Sequence, residues 1–281
     1  MAFTVDINDA KKQFPNFTFV TPLTPSAQKA AFHVKDEHGK DLCLKIISPT
    51  CTSERLHREI TAMQNISHPN VVSLLEYTFS STPGSLKHFV VEEFVDGADL
   101  EVAPGTPWPR PRVAGLFAKL MDGLEQLNLQ HIVHRDLKPS NIRVRPDDTP
   151  VLIDFGLARH LQMSDLTLTA QGAQLGTPLY FSPEQFEGTK REIDHRTDLF
   201  AAGVIIFQAL VGRHPFATTN ISRADLHGRV CNNQEFMQDA DFVSLPRQWQ
   251  LLVKKMLEKE RGLRVNSAAQ VATLLRKLEN V

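Results

Sequence analysis

Two polar motifs constrain the fold of this chain more than any other feature of its sequence. The first is the segment from His134 to Asn141, and the second is Asp154-Phe155-Gly156, which follows the apolar run Val151 to Ile153. The first motif offers a carboxylate, an ammonium and an amide, and the second begins with a carboxylate. These groups suit phosphoryl transfer, because a triphosphate must be neutralised by a metal ion and an ammonium while a hydroxyl nucleophile is held in line with it. An Asp can accept the proton of that hydroxyl, and an Asn with a distant Asp can hold Mg²⁺ through oxygen atoms.

Each motif taken alone has a simpler interpretation. A lone Asp-Phe-Gly can be a turn that ends a strand, with Gly supplying a positive φ angle, and a lone His-Arg-Asp triplet can occur by chance. Chance is a poor explanation for both motifs in this order and at this spacing, although a motif still needs its structural context. At every motif position the two segments resemble the catalytic loop of protein kinases and their metal-binding Asp-Phe-Gly turn.

The resemblance implies a role for each residue of the two motifs. Asp136 would be the catalytic base or the group that positions the hydroxyl, and Lys138 would stabilise the transferred phosphoryl group. Asn141 and Asp154 would hold Mg²⁺. The residues expected to support them structurally are His134, Arg135, Phe155 and Gly156. The pattern Asp-Leu-Lys-Pro-x-Asn resembles serine/threonine kinases more than tyrosine kinases.

Composition excludes several other classes of protein. The chain has 281 residues and a formal net charge of −1, so there is no basic excess to recruit nucleic acid or an anionic membrane. Its three cysteines, Cys43, Cys51 and Cys231, are odd in number and lack metal-ligand spacing, which favours free thiols in a reducing compartment. The longest apolar run, Leu199 to Leu210, is about half the ~20 residues that a membrane span needs. Neither export nor a membrane span is expected, and the cytoplasm is the predicted location.

A turn between two predicted strands is the clearest departure from the family pattern. It runs from Leu23 to Ala31, after a strand predicted at Phe17 to Leu23. Protein kinases have glycines here, because backbone amides must approach the ATP phosphates closely. The aligned positions hold Thr24, Ser26 and Lys29. Small residues still permit close approach and Lys29 could add an ammonium, whereas Pro25 lacks an amide hydrogen and lost flexibility could weaken nucleotide affinity.

Lys45 is the one charged residue in the predicted strand Leu42 to Ile47. One interpretation is an exposed Lys on the solvent face of the strand. The resemblance instead identifies Lys45 with the lysine that contacts the α- and β-phosphates and that needs a carboxylate partner. Glu59 lies fourteen residues later on an amphipathic helix predicted from Ser53 to Ile66, and it is the expected partner, although Glu59 alone would read as a surface glutamate.

The segment Glu93 to Gly97 resembles the hinge between the two lobes of a kinase, whose backbone would hydrogen-bond adenine. The same alignment places Glu92 at the back of the adenine pocket, where an apolar residue or Thr is usual. A buried Glu there needs a partner or a raised pKa. The residues expected to bind nucleotide are Leu23, Thr24, Ser26, Lys29, Ala31, Lys45, Glu93, Val95, Asn141 and Asp154.

The segment from Gly176 to Glu184 resembles the end of a kinase activation segment, with Ser-Pro-Glu in place of Ala-Pro-Glu. The resemblance implies that Thr177 bonds the catalytic Asp. Thr167 and Thr169 are predicted phosphosites, because a phosphate there could pair with the guanidinium of Arg135 and order the segment. They could equally be ordinary loop threonines.

Two further structural contacts follow from the resemblance. Glu184 and Arg264 are expected to form a buried ion pair, and Asp198 is expected to anchor the catalytic loop from below. Helices are predicted at Arg112 to Gln130, Leu199 to Leu210, Trp249 to Leu257 and Ser267 to Leu278. Asn266 or Ser267 would cap the last of them. The proline-rich segment Ala103 to Pro111 is interpreted as a stiff loop, with a ligand for a partner domain as the alternative.

Together these observations predict an α+β, bilobal protein-kinase-like fold. Residues 1–16 would be a short extension. Residues 17–278 would form the kinase domain, with a small lobe of antiparallel sheet and one main helix to about residue 95 and a larger, mostly helical lobe after it. The predicted reaction transfers the γ-phosphoryl group of Mg-ATP to a Ser or Thr hydroxyl of a protein substrate, and another copy of this chain is one candidate substrate. A nucleotide-binding pseudokinase that acts as a scaffold and a small-molecule kinase are the alternatives. Bacterial origin is suggested by the style of the activation segment.

Overall fold

The first part of the chain is organised around a five-stranded antiparallel sheet. A computed structural model describes residues 2–26, 29–48, 60–78, 88–154, 178–188, 193–232 and 235–279. The strands are β1 (Thr18–Pro22), β2 (Lys29–Lys35), β3 (Asp41–Ile47), β4 (Leu74–Thr78) and β5 (Phe89–Glu93), in the spatial order β1-β2-β3-β5-β4. The predicted small antiparallel lobe is therefore confirmed.

Side chains alternate between the two faces of this sheet, as a period of two residues requires. Along β3, Leu44 and Ile46 are buried in one cluster, and that cluster covers the outer face of the sheet. Cys43 and Lys45 point to the opposite face and line a cleft. The alternation gives β3 one face for packing and one face for chemistry.

Residues 7–13 form a short helix that packs on the outer face of the sheet. This helix, α1 (Ile7–Gln13), begins after Asp6, whose carboxylate accepts a hydrogen bond from the Asn8 backbone amide. Ala10 is fully buried, and the Phe14 ring packs edge-on against Phe89 with centroids 4.9 Å apart. The segment predicted as an extension thus contributes to the core of the small lobe.

Two of the predicted boundaries near the phosphate turn differ from the structure. The first strand ends at Pro22, one residue before the prediction, and β2 already begins at Lys29. The predicted turn of Leu23 to Ala31 is therefore too long, because Lys29 to Ala31 pair with Lys45 to Ile47. The predicted helix at Ser53 to Ile66 is described only from residue 60, and residues 60–64 are helical.

Helices dominate the second part of the chain. They are α2 (Arg110–Leu129), α3 (Pro183–Glu187), α4 (Arg196–Val211), α5 (Arg223–Asn232), α6 (Ala240–Ser244), α7 (Arg247–Met256) and α8 (Ala268–Leu278), with short 3₁₀ turns at Pro139–Asn141, Glu235–Gln238 and Arg261–Leu263. The apolar residues predicted for the first long helix, Val113, Leu116, Leu120, Leu124 and Leu127, are all buried. That helix starts two residues early, at Arg110, because Pro111 is tolerated in a first turn, where its missing amide hydrogen has no helical partner.

The last helix and the longest apolar run match their predictions closely. Ser267 caps α8 and accepts a hydrogen bond from the Gln270 amide at 3.2 Å, which decides between the two predicted caps. The helix α4 is buried almost all round, as a central core helix is. The α+β architecture predicted from the sequence is confirmed. Within the described ranges, every helix is too short or too polar to cross a lipid bilayer.

A second, three-stranded sheet carries the two motifs. Its strands are β6 (Ala98–Asp99), β7 (Ile142–Val144) and β8 (Pro150–Leu152). The amide of Leu152 donates to the Asn70 carbonyl at 2.9 Å, and the Leu152 carbonyl accepts from the Val72 amide at 3.0 Å. These bonds tie the strand before Asp154 to the chain that leads into β4.

Candidate active site

The backbone of the predicted catalytic loop, His134 to Asn141, is held by one buried carboxylate from α4. Asp198 is 4 % exposed, and its two oxygens accept hydrogen bonds from the backbone amides of His134 and Arg135, each at 2.8 Å. Arg135 has a φ of 64°, an unfavourable conformation for a residue with a side chain. Burial raises the pKa of Asp198, although the nearby His134 and the two amides work against that shift. The expected contact between Asp198 and the loop is present.

His134 joins the two motifs through its imidazole ring. Its Nε2 donates to the Ile153 carbonyl at 3.1 Å, and its Nδ1 accepts from the Asp136 amide at 3.4 Å. A ring protonated on Nε2 satisfies both contacts. Because His134 is fully buried, these bonds fix the distance between the loop and the residue before Asp154.

The three polar side chains of the loop contact one another. The Lys138 ammonium donates to Asp136 Oδ2 at 2.9 Å, and Asn141 Nδ2 donates to the same oxygen at 3.1 Å and to the Asp136 carbonyl at 2.8 Å. The 3₁₀ turn Pro139–Asn141 brings the amide back towards Asp136. The carboxylate is therefore fixed in orientation by two side chains of its own loop.

Asp154 lies between two ammonium groups. Lys45 Nζ is 2.7 Å from Asp154 Oδ1, and Lys29 Nζ contacts the same oxygen. Burial by itself would raise the pKa of Asp154, but the charges of Lys29 and Lys45 outweigh it and hold the pKa well below its usual range. Asp154 also has a φ of 60°. The carboxylate stays ionised because both cations are within contact distance.

Glu92 is the second carboxylate that contacts Lys45. Its Oε2 accepts a hydrogen bond from Lys45 Nζ, and the two residues are 2 % and 4 % exposed. Burial alone would lower the pKa of Lys45, but Asp154 and Glu92 together raise it. The partner that a buried Glu92 requires is thus Lys45. Glu59, the predicted partner of Lys45, lies outside the described residues.

The cleft between the five-stranded sheet and the catalytic loop collects most of the predicted nucleotide-binding residues. Leu23, Thr24, Lys29, Ala31, Lys45, Glu93, Val95 and Asp154 all line it. The predicted residue Ser26 lies in the adjoining turn, where its hydroxyl accepts from the Lys29 amide at 3.2 Å and its amide donates to the Lys29 carbonyl at 2.9 Å. Asn141 faces Asp136 as described above. Ser26 therefore closes the turn that presents Lys29.

Several residues of the cleft are not predicted by the sequence. They are Cys43, Val72, Phe94, Asp99, Ser140, Arg143 and Ile153, and the sequence assigns no role to Glu92. Cys43 could have been found from the strand period, because it lies two positions before Lys45 on the same face of β3. Burial raises the pKa of the Cys43 thiol to about 11, so the thiol is a packing group. Phe94, Ser140 and Ile153 lie next to predicted site residues in the sequence. Val72, Asp99 and Arg143 join the cleft through tertiary contacts.

The oxygen ligands near Asp154 fit Mg²⁺. Asn141 donates through Nδ2, so Oδ1 is the atom with which it could bind a cation. In the described part of the chain, no three His, Cys, Asp or Glu side chains are grouped as a metal site. This donor set suits Mg²⁺, which proteins bind through one or two carboxylates together with substrate phosphates and water.

The ion pair predicted between Glu184 and Arg264 is present and buried. Arg264 Nη1 and Nη2 donate to Glu184 Oε1 and Oε2, both at 2.7 Å. Two neighbouring hydrogen bonds were not predicted. Thr197 Oγ1 donates to Glu184 Oε1 at 2.7 Å, and Gln185 Nε2 donates to the Arg135 carbonyl at 2.8 Å. The short helix α3 is thereby joined to the catalytic loop.

His214 ties the segment before α3 to the helical lobe. Its Nε2 donates to the Leu179 carbonyl at 2.9 Å, and its Nδ1 accepts from the amides of Phe216 and Ala217 at 3.0 and 2.8 Å. Burial lowers the pKa of His214 to about 4, so the ring is neutral at pH 7. The remaining predicted residues, Phe155, Gly156, Thr167, Thr169 and Thr177, lie outside the described residues.

A sheet-rich lobe, a helical lobe, and a cleft with paired lysines and carboxylates between them define the class of protein kinases. The family model described as protein kinase domain matches residues 29–274, and the chain belongs to this family. The resemblance to protein kinases that the motifs indicate is confirmed.

Several curated relatives carry serine/threonine kinase names. The chain is 36 % identical over 190 residues to the serine/threonine-protein kinase pkn3 of Myxococcus xanthus, covering 63 % of this chain and 34 % of the relative. It is 28 % identical over 251 residues to the serine/threonine-protein kinase PknB of Mycobacterium tuberculosis, covering 86 % of this chain and 39 % of the relative. It is also 28 % identical over 247 residues to a probable PknB of Bifidobacterium longum, covering 84 % and 35 %. The chain thus spans between a third and two fifths of the length of these relatives.

Proposed function

We propose that this chain is a serine/threonine protein kinase that transfers the γ-phosphoryl group of Mg-ATP to protein Ser or Thr hydroxyls. The observation that carries the proposal is that Lys138 and Asn141 both contact the Asp136 carboxylate. His134 joins their loop to Ile153, the residue before Asp154. The names of the bacterial relatives support the serine/threonine class.

Asp136 orients the attacking hydroxyl and accepts its proton. A carboxylate of fixed orientation can bind a hydroxyl in line with the transferred group, which accounts for much of the rate in this chemistry. Lys138, already 2.9 Å from Asp136, neutralises the charge that spreads over the phosphoryl oxygens. Asp136 thus acts on the hydroxyl and Lys138 on the phosphoryl group that the hydroxyl attacks.

The cleft binds ATP through its lysines and its hinge. Lys45 and Lys29 contact the phosphates, with Glu59 as a further carboxylate for Lys45, and the backbone at Glu93 and Val95 meets adenine. Thr24, Leu23 and Ala31 cover the nucleotide. Mg²⁺, when bound by Asp154 and Asn141, neutralises the phosphate charge. Asp154 Oδ1 accepts from both Lys29 and Lys45, so a cation bound there would compete with these two contacts.

Control of activity is assigned to the segment before Glu184. Phosphate on Thr167 or Thr169 pairs with Arg135, and Thr177 bonds Asp136 in the active arrangement. Autophosphorylation between copies of the chain would supply those phosphates. A cytoplasmic location and bacterial origin remain predictions from the sequence.

A scaffold that binds nucleotide without transferring phosphate is the second candidate. The observation in its favour is that the two lysines of the cleft are already paired with Asp154 and Glu92. Phosphates would have to compete with these contacts. The turn before Lys29 also contains no glycine. The intact set of Asp136, Lys138 and Asn141 favours catalysis over this alternative.

Intact-mass spectrometry tests the proposal. Purified protein is incubated with Mg-ATP and a panel of Ser/Thr peptides, beside an Asp136→Ala control. We expect the wild-type protein or a peptide to gain whole phosphate masses and the Asp136→Ala sample to gain none. If neither protein gives a phosphorylated product while both bind ATP, the scaffold function replaces the kinase function.

Peptide mapping of the phosphorylated protein then tests the sites of modification. Absence of phosphate on both Thr167 and Thr169 would remove them as autophosphorylation sites without touching the assignment of the reaction.

A further inference from the structure

Four side chains of alternating charge run across the back of the cleft. Lys29 contacts Asp154, Asp154 contacts Lys45, and Lys45 contacts Glu92. Lys45 therefore has two carboxylate partners among the described residues, one on the segment after β8 and one on the sheet. The partner on the sheet, Glu92, has no role in the reaction described above.

The position of Glu92 relative to Lys45 is set by strand pairing. In the antiparallel pair of β3 and β5, Lys45 lies opposite Val90 and Cys43 lies opposite Glu92. Glu92 is thus a diagonal neighbour of Lys45 on the same face of the sheet, within reach of a long side chain. Because both residues belong to central strands, this contact does not depend on the placement of any helix.

Stability is a weak explanation for this pair. Glu92 Oε1 is buried and has no hydrogen-bond partner among the described residues. A buried ion pair with an unsatisfied oxygen contributes little to folding, and an apolar pair of the same size is often as stable. The contact is better explained by its effect on the position of the Lys45 ammonium.

Asp154 cannot hold Lys45 throughout the reaction. Asp154 is the proposed cation ligand, and a carboxylate committed to a cation attracts an ammonium much less. Among the described residues, Glu92 is then the carboxylate that remains beside the Lys45 ammonium.

Building on the proposed function, we infer that Glu92 is a positioning residue, which holds the Lys45 ammonium from the sheet so that it meets the nucleotide phosphates. Glu92 acts through Lys45 and does not itself contact the phosphates. Without Glu92, and with Asp154 committed to the cation, none of the described carboxylates holds the Lys45 ammonium in its position towards the phosphates.

A double-mutant cycle on binding tests this inference. Wild type, Glu92→Gln, Lys45→Met and the double variant are titrated calorimetrically with Mg-ATP and, separately, with adenosine at the same Mg²⁺ concentration. Gln keeps the shape of Glu and removes its charge. We expect Glu92→Gln to weaken ATP binding about tenfold, because one charged contact is lost, and to leave adenosine binding within about twofold. In the Lys45→Met background, Glu92→Gln should change ATP binding less than about twofold, because the residue through which it acts is gone.

Two controls accompany the cycle. Glu76→Gln removes one carboxylate from the exposed face of β4 and should leave both affinities unchanged. Thermal unfolding verifies that each variant is folded. If Glu92→Gln does not fold, Glu92→Asp, which keeps the charge on a shorter side chain, replaces it in the cycle.

Three results would overturn the inference: equal losses of ATP affinity in both backgrounds, equal losses for ATP and adenosine, or tighter ATP binding by Glu92→Gln. Tighter binding would mean that Glu92 competes with the phosphates for Lys45. These outcomes are read from binding alone. The proposed function is judged separately, by phosphate transfer in the mass measurement.

Discussion

Glu184 shows how a buried charge is tolerated in this protein. Burial by itself would raise the pKa of Glu184, but Arg264 and Thr197 outweigh that effect and lower the pKa. All three bonds to the carboxylate are 2.7 Å long. The pair joins the start of α3 to the chain before α8, so its loss would be felt at the catalytic loop through Gln185 and Arg135.

Replacing Glu184 with Ala should destabilise the protein by about 3–5 kcal/mol, because the Arg264 guanidinium would be left buried without its partner. Urea unfolding measures the change. Glu187→Ala, on the exposed side of the same short helix, is the matched control and should stay within about 0.5 kcal/mol of wild type. A similar free energy of unfolding for both variants would contradict the assignment of Glu184 as a structural residue.

At the scale of elements, α2 closely approaches the chain around Asn70. A Cβ added at Gly123 would lie 2.8 Å from the Asn70 carbonyl oxygen and 3.2 Å from Leu152 Cδ1. Asn70 is itself buried, and its side chain donates to the Pro150 carbonyl at 2.7 Å. The absence of a side chain at Gly123 thus lets α2 support β8, the strand that leads to Asp154.

We expect Gly123→Ala to destabilise the protein by about 1–3 kcal/mol, since backbone atoms must move to admit the methyl group. It should also lower the rate of phosphoryl transfer, because β8 is displaced. Gly115→Ala in the same helix is the control: its Cβ meets only Glu279 Oε1, at 3.5 Å. That change should be neutral or stabilise by up to about 1 kcal/mol, as expected for Ala in place of Gly in a helix. Denaturant unfolding measures the free energy of unfolding of both variants. A Gly123→Ala protein more stable than wild type would refute the close contact.

At the scale of the whole molecule, stability should depend on pH through His214. An unfolded chain protonates this residue near pH 6.5, whereas the folded protein does so only near pH 4. Between these values the unfolded state binds more protons, so the free energy of unfolding falls as the pH falls. His68, whose pKa burial also lowers, adds a change of the same sign. Glu184 and Asp154, whose pKa values are lowered, begin to lose their contributions below about pH 5, so they add to the fall at the acid end of this range and continue it at lower pH.

The loss attributable to His214 should be on the order of 2–3 kcal/mol between pH 7 and pH 4. Urea unfolding at intervals across that range measures it. In His214→Gln, an amide can still donate to Leu179 but cannot be protonated in this range. The variant should therefore show a clearly flatter profile, with His68 responsible for part of what remains. An unchanged slope in His214→Gln would show that other groups govern the acid response.

Much of the fold and of the site could be predicted from local patterns. The periods of two and of three to four residues along the chain predicted β3, α2, α4 and α8, because burial of one face leaves that record in consecutive residues. The spacing of Asp136, Lys138 and Asn141 within one short loop likewise constrained their contacts. Element ends were less well predicted, as at Lys29 and Arg110, because capping and strand pairing decide them.

The contacts that complete the site depend on tertiary structure. Glu92 meets Lys45 only because β3 and β5 pair in one particular register, and nothing in a sequence separation of 47 residues encodes that register. The contacts of Thr197 with Glu184 and of Gln185 with Arg135 likewise form only because α3 packs against α4 and the loop. The sequence by itself determined the class of fold and the chemical groups of the loop, since both depend on near neighbours in the chain. Which carboxylate holds which ammonium was decided by packing between distant segments, because buried charges take the partner that the folded backbone brings within reach.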